Sequence, residues 1–311
     1  MIRNRPFLLA LSLLTTSFIL HTAALAQAGK SGLSFLKLGI SGRGVAMGEA
    51  MSAHASGAAA TFYNPAGILL PPLADRTSQI MVMHKEWIQD TRMDFLGATV
   101  NLSESDAVGL SVSSTTVADI EVRTRPGAPE ATFTARNYAV GATYARAFSD
   151  ELTVGITGKF LFEKILVDEA SGIGIDLGAQ YRTSMENLTV GLTLANLGAM
   201  SSLRDEKTTL PSLLRIGPAY SFDLSNLDAI VAVAADYLNV FPEGISYVNV
   251  GGEFFFSRTI AGRIGYQFGS EGRGLTTGLG VSYGLLSLDY AYVPLSGDLG
   301  STHTISLSLN L

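Results

Sequence analysis

From about Ser78 to Leu311 the chain alternates apolar with small or polar residues at period two, segment after segment. That pattern narrows the fold more than any other feature, because only a β-strand sends successive side chains to opposite faces. The last segment is the clearest. His303, Ile305, Leu307, Leu309 and Leu311 share one face, and Thr304, Ser306, Ser308 and Asn310 the other. Leu275, Thr277, Leu279, Val281 and Tyr283 oppose Thr276, Gly278, Gly280 and Ser282. Ile260, Ile264, Tyr266 and Phe268 oppose Arg263, Gly265 and Gln267. Val231, Val233, Ala235 and Tyr237 oppose Ala232, Ala234 and Asp236, and Tyr138, Val140, Ala142 and Tyr144 oppose Ala139, Gly141 and Thr143.

A soluble sandwich also alternates, so number and rhythm must decide. About fourteen strands of roughly 9 to 15 residues are expected, the length of a tilted span of the hydrocarbon layer. They cover 79–88, 92–102, 106–119, 131–148, 151–167, 171–183, 187–197, 211–222, 228–240, 245–256, 259–268, 274–283, 285–293 and 301–311. The connections Ser149-Asp150, Met185-Glu186, Ser257-Arg258 and Gly284 are short, whereas Glu121 to Glu130, Gly198 to Leu210, Gly269 to Arg273 and Pro294 to Gly300 are longer. Short turns at one end and long loops at the other mark a transmembrane barrel, and an even strand number puts both barrel ends on the short-turn, periplasmic side. Phe148, Tyr181, Phe222, Tyr237, Tyr283 and Tyr292 near strand ends suit interfacial girdles.

Composition agrees. The chain is 47% hydrophobic and only 15% charged, against about 25% charged in soluble domains, and its mean hydropathy is +0.29. Beyond the N-terminus, no apolar run approaches the roughly 20 residues of a membrane helix. A net charge of -6 argues against nucleic acid as the partner. The absence of cysteine excludes disulfides and thiolate metal sites, and four scattered histidines make no metal site, so neither metal nor cofactor is expected.

The N-terminus reads as an export signal: Arg3 and Arg5, an apolar run from Phe7 to Leu20, then Ala24-Leu25-Ala26. Cleavage is expected after Ala26, with Ala28 the alternative. The expected organisation is a signal peptide over 1–26, a lead-in and plug over 27–77, and a barrel over 78–311, located in an outer membrane.

One stretch breaks the alternation. Gly42 to Gly67 is rich in Ala and Gly and favours short helical turns. It stops at Asn64-Pro65, where proline bars helix continuation and Asn fixes a turn. Pro71-Pro72 makes a stiff exit to the first strand. Fourteen strands enclose a lumen too wide for wall side chains to fill, and this small-residue piece is of a kind to close it.

The same residues carry a resemblance. Phe35-Leu36-Lys37-Leu38-Gly39, Gly42-Arg43, Ala46-Met47-Gly48-Glu49-Ala50 and Asn64-Pro65-Ala66-Gly67 follow in order. The stretch resembles the hatch of FadL-like outer-membrane proteins, and more closely their PorV/PorQ branch. Two positions depart from that pattern: Ser56-Gly57 replaces an acidic pair, and the chain ends in Leu311 rather than an aromatic residue. The resemblance implies a 14-stranded outer-membrane barrel with a helical hatch. The PorV/PorQ branch implies a part in type IX protein export and surface attachment, with exported proteins or secretion components as partners. The wider family implies passage of long-chain fatty acids or other hydrophobic small molecules. A purely structural barrel is the third alternative. In the hatch, Gly42, Arg43, Met47, Gly48, Glu49, Asn64, Pro65, Ala66 and Gly67 are the motif residues.

Charges expected on the lumen face are Lys159, Glu163, Asp176, Arg182, Arg215, Asp236, Glu253, Arg263 and Asp289. Their mixed signs fit a network that satisfies the inner wall and pins the plug; a selectivity path is the sharper alternative. Arg43 and Glu49, flanking a glycine-bearing turn, are candidates to latch plug to wall. Catalysis is not expected. His84 and His303 would be neighbours at barrel closure, but no G-x-S-x-G elbow is present and His303 falls on the lipid-facing set.

Overall fold

The computed structural model describes residues 30–70 and 77–311. The expected signal peptide, its cleavage site and Pro71-Pro72 lie outside the described residues. Strands follow one another: β1 (Ser78–Glu86), β2 (Thr91–Asn101), β3 (Asp106–Val122), β4 (Ala131–Ala147), β5 (Leu152–Ile165), β6 (Asp168–Arg182), β7 (Leu188–Met200), β8 (Ser202–Leu203), β9 (Glu206–Lys207), β10 (Leu213–Leu224), β11 (Ala229–Val240), β12 (Ile245–Phe256), β13 (Ile260–Phe268), β14 (Leu275–Tyr283), β15 (Leu286–Pro294) and β16 (Ser301–Asn310). All but β8 and β9 form one closed barrel of 14 strands, each antiparallel to its neighbours. Closure brings β1 against β16, with Val82 opposite Leu307 and Ser78 bonded through its backbone to Leu311.

The alternation is realised inside out relative to a soluble protein. On β16, Thr302, Thr304, Ser306, Ser308 and Asn310 are buried toward the lumen, while Ile305 and Leu307 are exposed. Leu110, Ile173, Leu279 and Phe160 likewise show most or about half of their surface to the outside. An apolar exterior around a polar interior is the transmembrane arrangement, in which lipid covers the outer face. Among the described residues no helix is long and apolar enough to cross a membrane; the strands do so.

Three boundaries differ from the sequence expectation, each for a local reason. β3 runs on to Val122 because Asp119, at φ 56°, absorbs a register shift between Val117 and Ile120. β7 reaches Met200 because Asn196, at φ 59°, forms a bulge opposite Asp176 and pairing resumes beyond it. The expected loop after Gly198 therefore starts later, and it contains the β8–β9 hairpin. At the long-loop end, Leu166-Val167 joins β5 to β6 as a tight turn with Leu166 at φ 58°. The short turns named from sequence do share the opposite end.

Inside the barrel lies the leading segment, with α1 (Gly42–Ala46), α2 (Gly57–Tyr63) and 3-10 turns at Ser34–Lys37 and Pro65–Leu69. It crosses the lumen from end to end. Gly32 N–H bonds to the Thr209 carbonyl at 2.9 Å, and Ser31 and Lys37 both reach Glu243, all at the long-loop end. At the short-turn end Asn101 Nδ2 donates to the Leu69 carbonyl at 3.1 Å. Ile40, Met47, Met51, Tyr63 and Ile68 are almost wholly buried, so this segment supplies the core that the wall cannot.

Its small residues and the wall's glycines explain the fit. Pro65 and Ala66 press on Gly155 of β5, where a Cβ would stand 2.4 Å from the Pro65 carbonyl carbon. Asn64 sits against Gly178 of β6, where a Cβ would lie 2.1 Å from its Oδ1. Plug backbone meets wall backbone at Gly155, and plug side chains rest on bare backbone at Gly178, which any larger residue would prevent.

Candidate functional site

The site is the contact between plug and wall. Ser41 caps α1, its Oγ accepting from Gly44 N–H at 2.9 Å, and this sets the direction of Arg43. Arg43 donates from Nε and Nη2 to the two oxygens of Glu253 on β12, both at 2.9 Å. Glu253 also accepts from Arg263 Nε of β13 at 2.5 Å, and Arg263 Nη1 reaches Asp289 of β15 at 2.7 Å. Two arginines and two carboxylates thus alternate across β12, β13, β15 and the plug, with Arg263 and Asp289 meeting over Gly280 of the intervening β14. His54 closes the group: its Nε2 lies 2.6 Å from Arg43 Nη2 and 3.7 Å from Glu253. Burial pushes the His54 pKa down and the Arg43 charge adds to this. The imidazole is therefore neutral, with Nε2 accepting from Arg43.

A second group lies on the other side of the plug. Gly48 and Glu49, at φ 64° and 65°, reverse the chain after α1. The turn carries the Glu49 carboxylate inward to accept from Gly39 N–H at 3.2 Å and Arg273 Nη1 at 2.8 Å. Burial alone would raise the Glu49 pKa, but Arg273, Lys85 and Arg215 together hold it below the usual carboxylate value. Lys85, fully buried on β1, donates to the Gly39 carbonyl. Arg215 stands over the Tyr63 ring, 5.1 Å from its centroid.

Two more anchors use polar side chains on the plug backbone. Asp236 of β11 accepts from Met51 and Ser52 N–H at 2.8 Å each. Asn64 Nδ2 donates to the Ser52 and Ala179 carbonyls, at 2.6 and 3.0 Å, while its Oδ1 accepts from Ala66 N–H. The Asn64 turn thus ties two plug segments to β6.

The remaining lumen charges fall as follows. Lys159 of β5 meets Asp176 of β6 at 2.6 Å and Asn196 at 2.8 Å, forming a wall pair at the β7 bulge. Glu163 lies near Thr208 of the long β7–β10 connection. Arg182 is a correction. It has inward parity, yet as the last residue of β6 it stands exposed at the short-turn end, outside the packed lumen. Parity fixes a face and not a height. Lys85 and Arg273 were not singled out from sequence. Lys85 does hold an inward position two residues after Met83, a legible signal, whereas Arg273 sits in a connection where alternation says nothing. His84 and His303 do flank the closure seam, His303 opposite Glu86, but both face outward. His84 pairs with Asp94 at 2.7 Å, and His303 Nδ1 with the Tyr290 hydroxyl at 2.7 Å.

Between plug and wall lies a cavity of about 320 Å³. Gln79, Ser221, Arg258, Ser282 and Asn310 place it at the short-turn end. Met51, Ala59, Met81, Ile230 and Phe255 give it an apolar side, and the Arg43–Glu253–Arg263–Asp289 group and His54 a charged one. Its size is at the lower end of the range of small-molecule sites.

No protein-family model matches this sequence, and no curated protein sequence does. Solved structures do match the fold. The Pseudomonas putida toluene transporter TodX is similar at TM-score 0.63 and 13% identity, over 88% of this chain and 98% of that one. A Pseudomonas aeruginosa FadL homologue is similar at TM-score 0.53 and 12% identity, over 87% of this chain and 98% of that one. The TodX deltaS2S3 mutant monoaromatic hydrocarbon channel is similar at TM-score 0.60 and 13% identity, over 88% of this chain and 98% of that one. At these identities the likeness is one of fold alone.

Proposed function

We propose that this chain is exported by its first 26 residues and forms an outer-membrane channel for hydrophobic small molecules, with residues 42–67 as a hatch. The observation that carries this reading is the cavity between hatch and wall, apolar on one side and roofed by the Arg43–Glu253 contact. A molecule reaching the periplasm through the lumen must pass that contact. One solved barrel of similar fold, TodX, is a toluene transporter and monoaromatic hydrocarbon channel, which supports the same ligand class here. A non-enzymatic role is supported by the ion pairs among the lumen charges, since among the described residues these groups are engaged with one another.

The test is a reversible lock. The chain has no cysteine, and a Cβ at Gly97 would lie 3.3 Å from that of Ala58, close to the spacing a disulfide spans. The Ala58→Cys/Gly97→Cys variant should admit a radiolabelled long-chain fatty acid or toluene when reduced, and at least tenfold less when oxidised. Equal uptake in both states would defeat a moving hatch, and no uptake above that of cells lacking the barrel would defeat the channel.

The PorV/PorQ reading, a part in protein export or surface attachment, is supported by the motif from Phe35 to Gly67 and by the apolar Leu166-Val167 tip, exposed at the long-loop end. Mild crosslinking in cells should then recover exported protein or secretion components on that tip, and lipid-uptake phenotypes should be absent.

A further inference from the structure

The outer surface carries a basic row that the channel function does not use. The strand register sets its level. Glu86 of β1 faces Arg92 of β2, Arg92 faces Thr116 of β3, Thr116 faces Arg136 of β4, Arg136 faces Lys164 of β5, and Lys164 faces Glu169 of β6. All six belong to the outward sets of their strands, opposite in parity to the buried Met93, Thr115 and Glu163. Neighbouring strands are about 4.8 Å apart, so Arg136 and Lys164 are adjacent and Arg92 stands roughly 10 Å from Arg136.

The same strand locates this row in the membrane. Arg146, paired with Asp106 at 3.6 Å, marks the short-turn edge of β4. Between it and Arg136 the outward positions are Tyr144, Ala142, Val140 and Tyr138, with no charge. Ten residues at about 3.4 Å rise, tilted about 40°, span roughly 26 Å, close to the apolar band of such barrels. Arg136 therefore lies at the hydrocarbon boundary on the long-loop side, the level of outer-leaflet headgroups. Just below it Tyr138 and Phe162 form an aromatic pair, ring centroids 6.3 Å apart.

Three features of this row ask for an anion. Arg136 and Lys164 are like charges directly opposite each other, which is unfavourable in a bare sheet. Lys164 finds Glu169, but the guanidinium groups of Arg92 and Arg136 pair with no carboxylate among the described residues. The cations are also confined to one side. At the long-loop ends of β11 to β15 the outward residues are Asn239, Ser246, Phe268, Leu275 and Tyr292. Guanidinium groups suit phosphate by their planar, multiple donors, and the Thr116 hydroxyl between them adds another.

We propose that Arg92, Thr116, Arg136 and Lys164 form a surface site for the phosphate groups of a phosphorylated glycolipid of the outer leaflet. Its acyl chains would lie on the apolar wall below, over Tyr138 and Phe162. The site is independent of what passes through the lumen.

The experiment uses the full barrel purified in detergent, with three lipids: bisphosphorylated lipid A, its fully dephosphorylated form, and phosphatidylglycerol. Native mass spectrometry reads retained lipid. The wild-type protein should retain bisphosphorylated lipid A at least tenfold better than either other lipid, and Arg92→Gln/Arg136→Gln should reduce that preference to within about twofold. Arg123→Gln, which removes an arginine above the row paired with Glu121, should leave it intact. Heat-modifiable gel mobility reports whether each variant is folded. Equal retention of the phosphorylated and dephosphorylated forms by the wild type overturns the proposal without any variant. Retention of phosphatidylglycerol as strong as that of lipid A overturns the glycolipid class, and an unchanged preference in the folded double variant overturns the site.

Discussion

Arg43 on the plug and Glu253 on the wall, 210 residues apart in sequence, meet through two parallel hydrogen bonds of 2.9 Å. Paired planar groups of this kind resist sliding as well as separation, so the contact holds the plug in register. The two partners are not equivalent. Removing Arg43 leaves Glu253 still paired with Arg263, a loss of about 1–3 kcal/mol. Removing the carboxylate takes from Arg43 its carboxylate partner and leaves Arg263 with Asp289 alone, nearer the roughly 3–5 kcal/mol of a broken buried pair. Glu253→Gln should therefore raise single-channel conductance and hydrogen exchange across Gly42–Gly67 more than Arg43→Gln does. The reverse order would show that Arg263 does not share the carboxylate.

Acid should loosen the plug. The folded His54 pKa lies below its ordinary 6.5, so the released state binds the extra proton. The stabilising contribution is full above about pH 6.5 and is lost as pH falls below it. Protonation would set a third cation beside Arg43 and Arg263, with Glu253 the carboxylate facing all three. Glu49, held below its ordinary 4.5, acts in the same direction lower down: its contribution is present above pH 4.5 and lost below. Plug exchange should rise in two stages, one as pH falls below about 6.5 and a second as it falls below 4.5, and His54→Asn should abolish the upper one.

At Gly155 the wall accepts Pro65 and Ala66 only because it has no side chain. Gly155→Val should leave the strands paired, since valine suits a strand, while lifting the Pro65–Leu69 turn off the wall. The expected outcome is a heat-modifiable barrel with raised conductance in planar bilayers. A normal, closed conductance would mean that β5 yields instead.

Lys159 and Asp176 test the wall separately from the plug. Asp176 is fully buried, and its Oδ1 also accepts from Asn196 N–H at 2.7 Å in the β7 bulge. Lys159→Met should strand that carboxylate and cost roughly 3–5 kcal/mol in barrel unfolding by denaturant. Adding Asp176→Asn should recover part of the loss, with plug exchange near wild type in both.

Much of the architecture was written along the chain. Strand number, inward and outward faces and the short-turn end all follow from alternation and turn residues. Strand ends were less legible at Asp119 and Asn196, where a single left-handed residue shifts the register without breaking the pattern. Arg182 shows the related limit: its face was readable and its exposure was not. The small-residue character of Gly42 to Gly67 announced something fit for a confined space, but not that it enters beside Glu243 at the long-loop end and runs down the lumen.

Sequence by itself determined a strand-built cylinder, greasy outside, with a compact leading piece, because side-chain period is a local property that every segment carries independently. Which charges meet was decided only by the closed tertiary structure. Arg43 with Glu253, Glu49 with Arg273 and Arg92 in line with Arg136 depend on register and barrel closure, and these are set by pairing between segments far apart in the chain.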